Sequence, residues 1–103
     1  MTIYWLTFRI SERGVNGLDD DQRRQALYDA VQLRAERWWL DPTSFVALES
    51  GSDIDEIAYD CRDAISETYD MVLIREMNTK SARIVGKVED KDIFELMPYL
   101  TKI

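Results

Sequence analysis

Hydrophobic and polar positions alternate from Ile3 to Ile10, with Tyr4, Leu6, Phe8 and Ile10 on one face and Ile3, Trp5, Thr7 and Arg9 on the other. This period of two predicts a strand whose even face meets the core and whose odd face, with Ile3 and Trp5, is open. Ser11 to Leu18 reads as a loop relaxed by Gly14 and Gly17. The period then changes: Ala26, Leu27, Ala30, Val31 and Leu33 recur at helical spacing. Asp19-Asp20-Asp21 place carboxylates at the helix start, and Arg34 and Arg37 place cations at its end, as the helix dipole favours. Arg23 and Arg24 fall off the stripe and are expected on the solvated surface, with phosphate contact as the alternative.

Residues 37 to 50, RWWLDPTSFVALES, set two short apolar runs on either side of Asp41-Pro42-Thr43. Proline presets φ and cannot donate to a central ladder, so the stretch predicts a hairpin. Ser52 with Asp55 has the spacing of a capping box, and Ile54, Ile57, Ala58, Cys61, Ala64 and Ile65 form the buried stripe of a second helix. Glu56, Asp60, Asp63 and Glu67 lie on its other face. Tyr69 to Met77 is a strand apolar on both faces at Met71 to Ile74, which predicts cover on two sides. After a turn at Asn78-Thr79-Lys80, Ser81 to Val88 makes a fifth strand, with Ile84 and Val88 on one face and Arg83, Val85 and Lys87 on the other. Asp90 then caps a short helix bearing Ile93, Phe94, Leu96 and Met97, which Pro98 interrupts. The order is βαββαβ with an additional C-terminal strand and short helix. It predicts an α+β, ferredoxin-like sandwich forming one domain over residues 1–103. That plan hosts many unrelated activities.

Charge narrows the function classes. The chain carries a net charge of −7, which repels duplex DNA unless its cations gather on one face. They gather partly: residues 75–87 hold Arg75, Lys80, Arg83 and Lys87 against Glu76 alone, while 53–67 hold six carboxylates against Arg62 alone. The acidic helix face is read as solvated, with docking of a basic protein as the alternative. Histidine is absent, which removes the usual general base and metal ligand. Asp53-Ile54-Asp55-Glu56 lacks the glycine and terminal glutamate of a calcium loop, so no metal site is expected. No cofactor fingerprint is present. Gly14-Val15-Asn16-Gly17 has the spacing of the clamp loop of RNA-binding KH domains, but that loop sits between helices and here a strand precedes it. A single cysteine, no apolar run long enough for a membrane span and an N-terminus without signal-peptide features lead to the expectation of a cytoplasmic protein without membrane contact.

Thr43-Ser44-Phe45-Val46-Ala47-Leu48-Glu49 followed by Ser52-Asp53-Ile54-Asp55-Glu56-Ile57 resembles the central block of the GhoS-type antitoxin endoribonucleases, which belong with the Cas-two-type nucleases. The resemblance spans about half of the chain and implies a small dimeric ferredoxin-like protein. A wider pattern, Tyr4-Trp5 through Phe8-Arg9-Ile10, Trp38-Trp39, Pro42 to Phe45 and Ala82 to Gly86, is similar to short bacterial proteins labelled SinR-family, although no helix-turn-helix is readable. The Cas-two-type pattern ends its first strand with a metal-holding aspartate. Arg9 stands at the similar position and cannot bind magnesium.

Two readings follow. The first is a homodimeric interaction module without metal-dependent catalysis, in which Ile3, Trp5, Phe45 and Val85 form the interface. The second is a metal-independent protein that binds or cleaves single-stranded RNA, as the GhoS resemblance implies, with Arg9, Arg23, Arg75, Lys80, Arg83 and Lys87 as the nucleic-acid contacts. No catalytic residue is assigned in either.

Overall fold

The computed structural model describes residues 1–40 and 43–103. The chain is α+β: β1 (Thr2–Arg9), α1 (Asp20–Arg34), β2 (Arg37–Trp39), β3 (Phe45–Ser50), α2 (Ile54–Ala64), β4 (Met71–Glu76), β5 (Ala82–Gly86), α3 (Ile93–Leu96) and β6 (Leu100–Lys102). One six-stranded sheet runs β2-β3-β1-β4-β5-β6. Every neighbouring pair is antiparallel except β5 and β6, which are parallel. β2 pairs with β3 as the expected hairpin would, while Asp41 and Pro42 of its turn lie outside the described residues.

Both long helices pack on one face of the sheet. Tyr4, Leu6 and Phe8 of β1 meet Leu27 and Val31 of α1, Ile57, Ala58 and Cys61 of α2, and Val72, Ile74 and Val85 of the later strands. Each such fully buried aliphatic side chain contributes about 1.5–3 kcal/mol. Both helices begin with a capping box, Asp19 with Gln22 and Asp53 with Glu56, so the second cap sits one residue later than Ser52 with Asp55. Asp53 can accept from the Glu56 amide while Glu56 returns to the Asp53 amide, which satisfies two helix-end donors at once. Arg37 belongs to β2 and does not close α1, and Leu33 is exposed, so the α1 stripe is narrower than expected.

The opposite sheet face is only half open, because the chain after β5 folds back over it. Val88, Ile93, Phe94, Met97 and Tyr99 pack against Leu73, Ala82, Ile84 and Leu100, with Trp5 and Met71 at the boundary. This second cluster explains why β4 is apolar on both faces: Val72 and Ile74 meet the helices, and Leu73 meets the C-terminal cover. Asp90 does not cap α3 itself; its carboxylate accepts from the Asp92 amide just before the helix. The outer edge of the expected fifth strand, β5, is paired by β6, a strand not expected from the sequence pattern. No helix among the described residues is long and apolar enough to cross a membrane.

A buried ion pair pins the loops at one end of the sheet. Arg23 and Asp70 are 2% and 0% exposed, and the Arg23 Nε donates to Asp70 Oδ2 at 2.8 Å. Arg23 also donates to the carbonyls of Leu18 and Ser11 at 3.0 and 2.8 Å, and Asp70 accepts the amides of Ser11 and Ser66, each at 2.9 Å. The loop at Val15–Leu18 closes as a tight turn through reciprocal 2.9 Å backbone bonds, with Asn16 and Gly17 at φ 52° and 79°. Gly86 has φ 91°, and its backbone lies so close to Asp70 that a Cβ there would overlap the Asp70 carbonyl oxygen.

Candidate functional site

Strand register assembles the open half-face. Thr7 stands opposite Phe45, Trp5 opposite Ala47, Ile3 opposite Glu49, and on the outer strand Trp39 opposite Ala47 and Arg37 opposite Glu49. Residues at alternate positions of three neighbouring strands therefore share one surface. At its centre the Trp5 and Phe45 rings stack, with centroids 5.8 Å apart and planes 23° apart. Trp39 meets Phe45 edge-on at 6.1 Å and is 52% exposed. The three rings form a continuous aromatic strip across β1, β3 and β2. A shallow depression of about 230 Å³ lies beside it, lined in part by Ile3, Arg37, Trp39 and Glu49.

The charges around the strip are balanced. Arg37 pairs with Glu49 at 3.3 Å, and Thr7 donates to the Ser44 carbonyl at 2.9 Å. Arg75, on the far side of Trp5, lies over the Tyr99 ring at 4.8 Å and donates to the carbonyls of Glu76 and Thr79. The carboxylates of α2 are on the opposite side of the molecule, where Arg34 binds Glu56 and Asp60 at 2.7 and 2.6 Å and Arg83 binds Asp55 at 2.5 Å. The α2 outer face is thus partly neutralised from two neighbouring elements.

The six cationic residues proposed as nucleic-acid contacts do not converge. Arg9 pairs with Glu89 at 3.3 Å and donates to the Lys87 carbonyl at 3.0 Å, so it fastens the C-terminal cover. Arg23 is buried on Asp70, contrary to the surface position expected from the apolar stripe; only a partner 47 residues away makes its burial tolerable. Arg83 faces the helices, whereas Arg75 faces the cover, because they occupy opposite sides of the sheet. Lys80 lies in the turn before β5 and Lys87 beyond its other end. Of the four residues expected at an interface, Ile3, Trp5 and Phe45 share the open half-face. Val85 does not: it is fully buried on the helix side, the face to which the period of two assigns it with Arg83.

Trp39 was missed as a member of the strip. Its signal was the alternation Arg37-Trp38-Trp39, which sends Trp38 to the helix side and Trp39 to the open side once β2 pairs with β3. Cys61 is fully buried, and desolvation, followed by the nearby Asp60 charge, pushes its thiol up to about 12. It has no nucleophilic thiolate at neutral pH. Among the described residues, no three or more histidine, cysteine, aspartate or glutamate side chains gather in a way that could hold a metal ion. Comparison with protein-family models, with curated proteins and with solved structures gives no match.

Proposed function

We propose that this chain is a ferredoxin-like homodimeric interaction module, without metal-dependent catalysis, whose open half-face of β2, β3 and β1 docks on the same face of a second copy. The order β2-β3-β1-β4, antiparallel throughout and backed by two helices on one side, supports the ferredoxin-like assignment. The observation that carries the function is the aromatic strip of exposed Trp39 and half-buried Trp5 and Phe45, set in a surface whose flanking charges, Arg37 and Glu49, already compensate each other. Two chains at −7 repel as wholes, but the strip keeps the acidic helix faces pointing away from the contact. Aromatic side chains are the residue type enriched at the centres of such contacts.

One observation favours single-stranded RNA as the alternative occupant of the same surface. Trp5 and Phe45 lie on adjacent central strands, the placement from which sheet aromatics of RNA-recognition domains stack on bases. Against it, Arg37 is committed to Glu49 and Arg75 to Tyr99.

Sedimentation at micromolar concentration separates the readings. The expected result is a species with the mass of two chains that Trp39→Glu converts to one chain without loss of thermal stability, since Trp39 is half exposed. A wild-type monomer whose tryptophan fluorescence is quenched by single-stranded RNA would overturn the dimer in favour of the alternative.

A further inference from the structure

The cations of this chain divide sharply by type. Every arginine except Arg13 and Arg75 is ion-paired with a carboxylate, and those two lie over the rings of Tyr69 and Tyr99. No lysine is ion-paired among the described residues. Three of the four lysines, Lys87, Lys91 and Lys102, line a single concavity, and only Lys80 lies elsewhere. This concavity has a volume of about 670 Å³ and lies where β5, β6 and the C-terminal cover meet the loop after α2, away from the aromatic strip. Phe94, half-buried against the cover, forms part of its wall with Val88, and Thr68 supplies a hydroxyl.

Three lysines lining one concavity have a cost, since like charges repel and none is offset by a paired carboxylate among the described residues. The one acidic residue in the lining, Glu67, is drawn toward Arg62 at 3.7 Å. The Lys102 ammonium donates at 2.8 Å to the carbonyl of Gly86, another lining residue, which leaves two of its three donors for another acceptor. The volume falls in the range of small-ligand pockets, roughly 300–1,000 Å³.

We propose that this concavity binds a nucleoside phosphate, with the phosphate group on Lys87, Lys91 and Lys102 and the base against Phe94. Lysine suits this task because its ammonium is a mobile point charge able to follow a phosphate of varied orientation, while the arginines are occupied in fixed pairs. An aromatic wall beside the cations adds stacking of the kind that holds bases without reading their edges. The shared chemistry, a phosphate carrying a base, can come from a free nucleotide or from the phosphorylated end of an RNA strand.

The test is a calorimetric titration of the full chain with AMP, adenosine, inorganic phosphate, and a short oligoribonucleotide with and without a 5′-phosphate, at about 50 and about 200 mM salt. AMP is expected to bind, more weakly at the higher salt, while adenosine does not bind and inorganic phosphate binds more weakly than AMP. Lys91→Glu and Lys87→Glu should each weaken AMP at least about tenfold, and Lys80→Glu should leave it unchanged. All three lysines are exposed, so the variants should keep the wild-type melting temperature. Tighter binding of the 5′-phosphorylated oligomer than of AMP would identify an RNA end as the source; equal or weaker binding identifies the free nucleotide. Absence of AMP binding, equal loss in Lys80→Glu, or phosphate binding as tight as AMP would overturn the assignment.

Discussion

Replacing Asp70 with asparagine removes one charge from the most enclosed part of the molecule while preserving side-chain volume. The Arg23 guanidinium would remain 2% exposed with two carbonyls and no counter-charge. The new amide NH₂ would also face donors, because Asp70 accepts only N–H groups, from Arg23, Ser11 and Ser66. Breaking a buried pair in this way costs about 3–5 kcal/mol, against a total stability of about 5–15 kcal/mol for a domain. Asp70→Asn should therefore lower the urea midpoint by about a fifth or more at pH 7, with an unchanged slope. The double variant Arg23→Met/Asp70→Asn should cost less than the two singles added together, because it removes the orphaned charge with its partner. Acid provides an independent reading. Desolvation is the largest influence on Asp70 and raises its pKa, but the bonds from Arg23, Ser66 and Ser11 outweigh it and hold the carboxyl below the ordinary aspartate value. A depressed folded pKa contributes stability that is fully present above the unfolded value, about 3.9, and is lost as pH falls through the folded value. The stability difference between wild type and Asp70→Asn should accordingly shrink below about pH 4. A loss of less than about 1 kcal/mol at pH 7, or a difference that does not change in acid, would refute the view that this pair anchors the loops.

Gly86→Ala should be severely destabilising, by more than the ordinary ~1 kcal/mol of a glycine replacement, because φ is positive and the Asp70 backbone that the new methyl would strike is held by the Lys87 amide at 2.8 Å; thermal melting would show it, and a near-neutral result would mean β4 and β5 can separate freely. Cys61 should react with a thiol reagent only after denaturation, and Cys61→Asp should unfold the domain while Asp63→Ala changes stability by no more than about 0.5 kcal/mol; rapid native labelling or equal tolerance at the two sites would mean the α2 register is wrong.

Local periodicity carried the element order well. The strand at β1, both long helices, the two-faced burial of β4 and the burial of Cys61 all follow from spacing between near neighbours in sequence. What spacing could not convey was pairing at a distance. Arg23 looked like a surface residue because the Asp70 that permits its burial lies in another loop. Lys91 and Lys102 drew no notice, being eleven positions apart with α3 and the turn after it between them, and only the folding of the cover brings them beside Lys87. Val85, expected at an interface, alternates with Ile84 and so lies on the helix side, away from the Ile84 and Leu73 that the cover buries. The dense basic run at 75–87 disperses through cross-strand register: Arg75 of β4 stands opposite Ala82, so Arg83, the next residue of β5, turns to the other side of the sheet, while Lys80 and Lys87 lie beyond the ends of β5.

The lengths of the outermost strands bear on how many copies can join. β2 and β6, the two margins of the sheet, are three residues each. A neighbour adding itself edge to edge would gain only a few main-chain bonds before running out of ladder, so lateral growth into ribbons or fibrils has little to propagate along. The contact proposed through the aromatic strip would behave differently, because each partner would consume the surface that recruited it. An assembly made that way would terminate at a fixed stoichiometry, and raising the concentration would fill it without lengthening it.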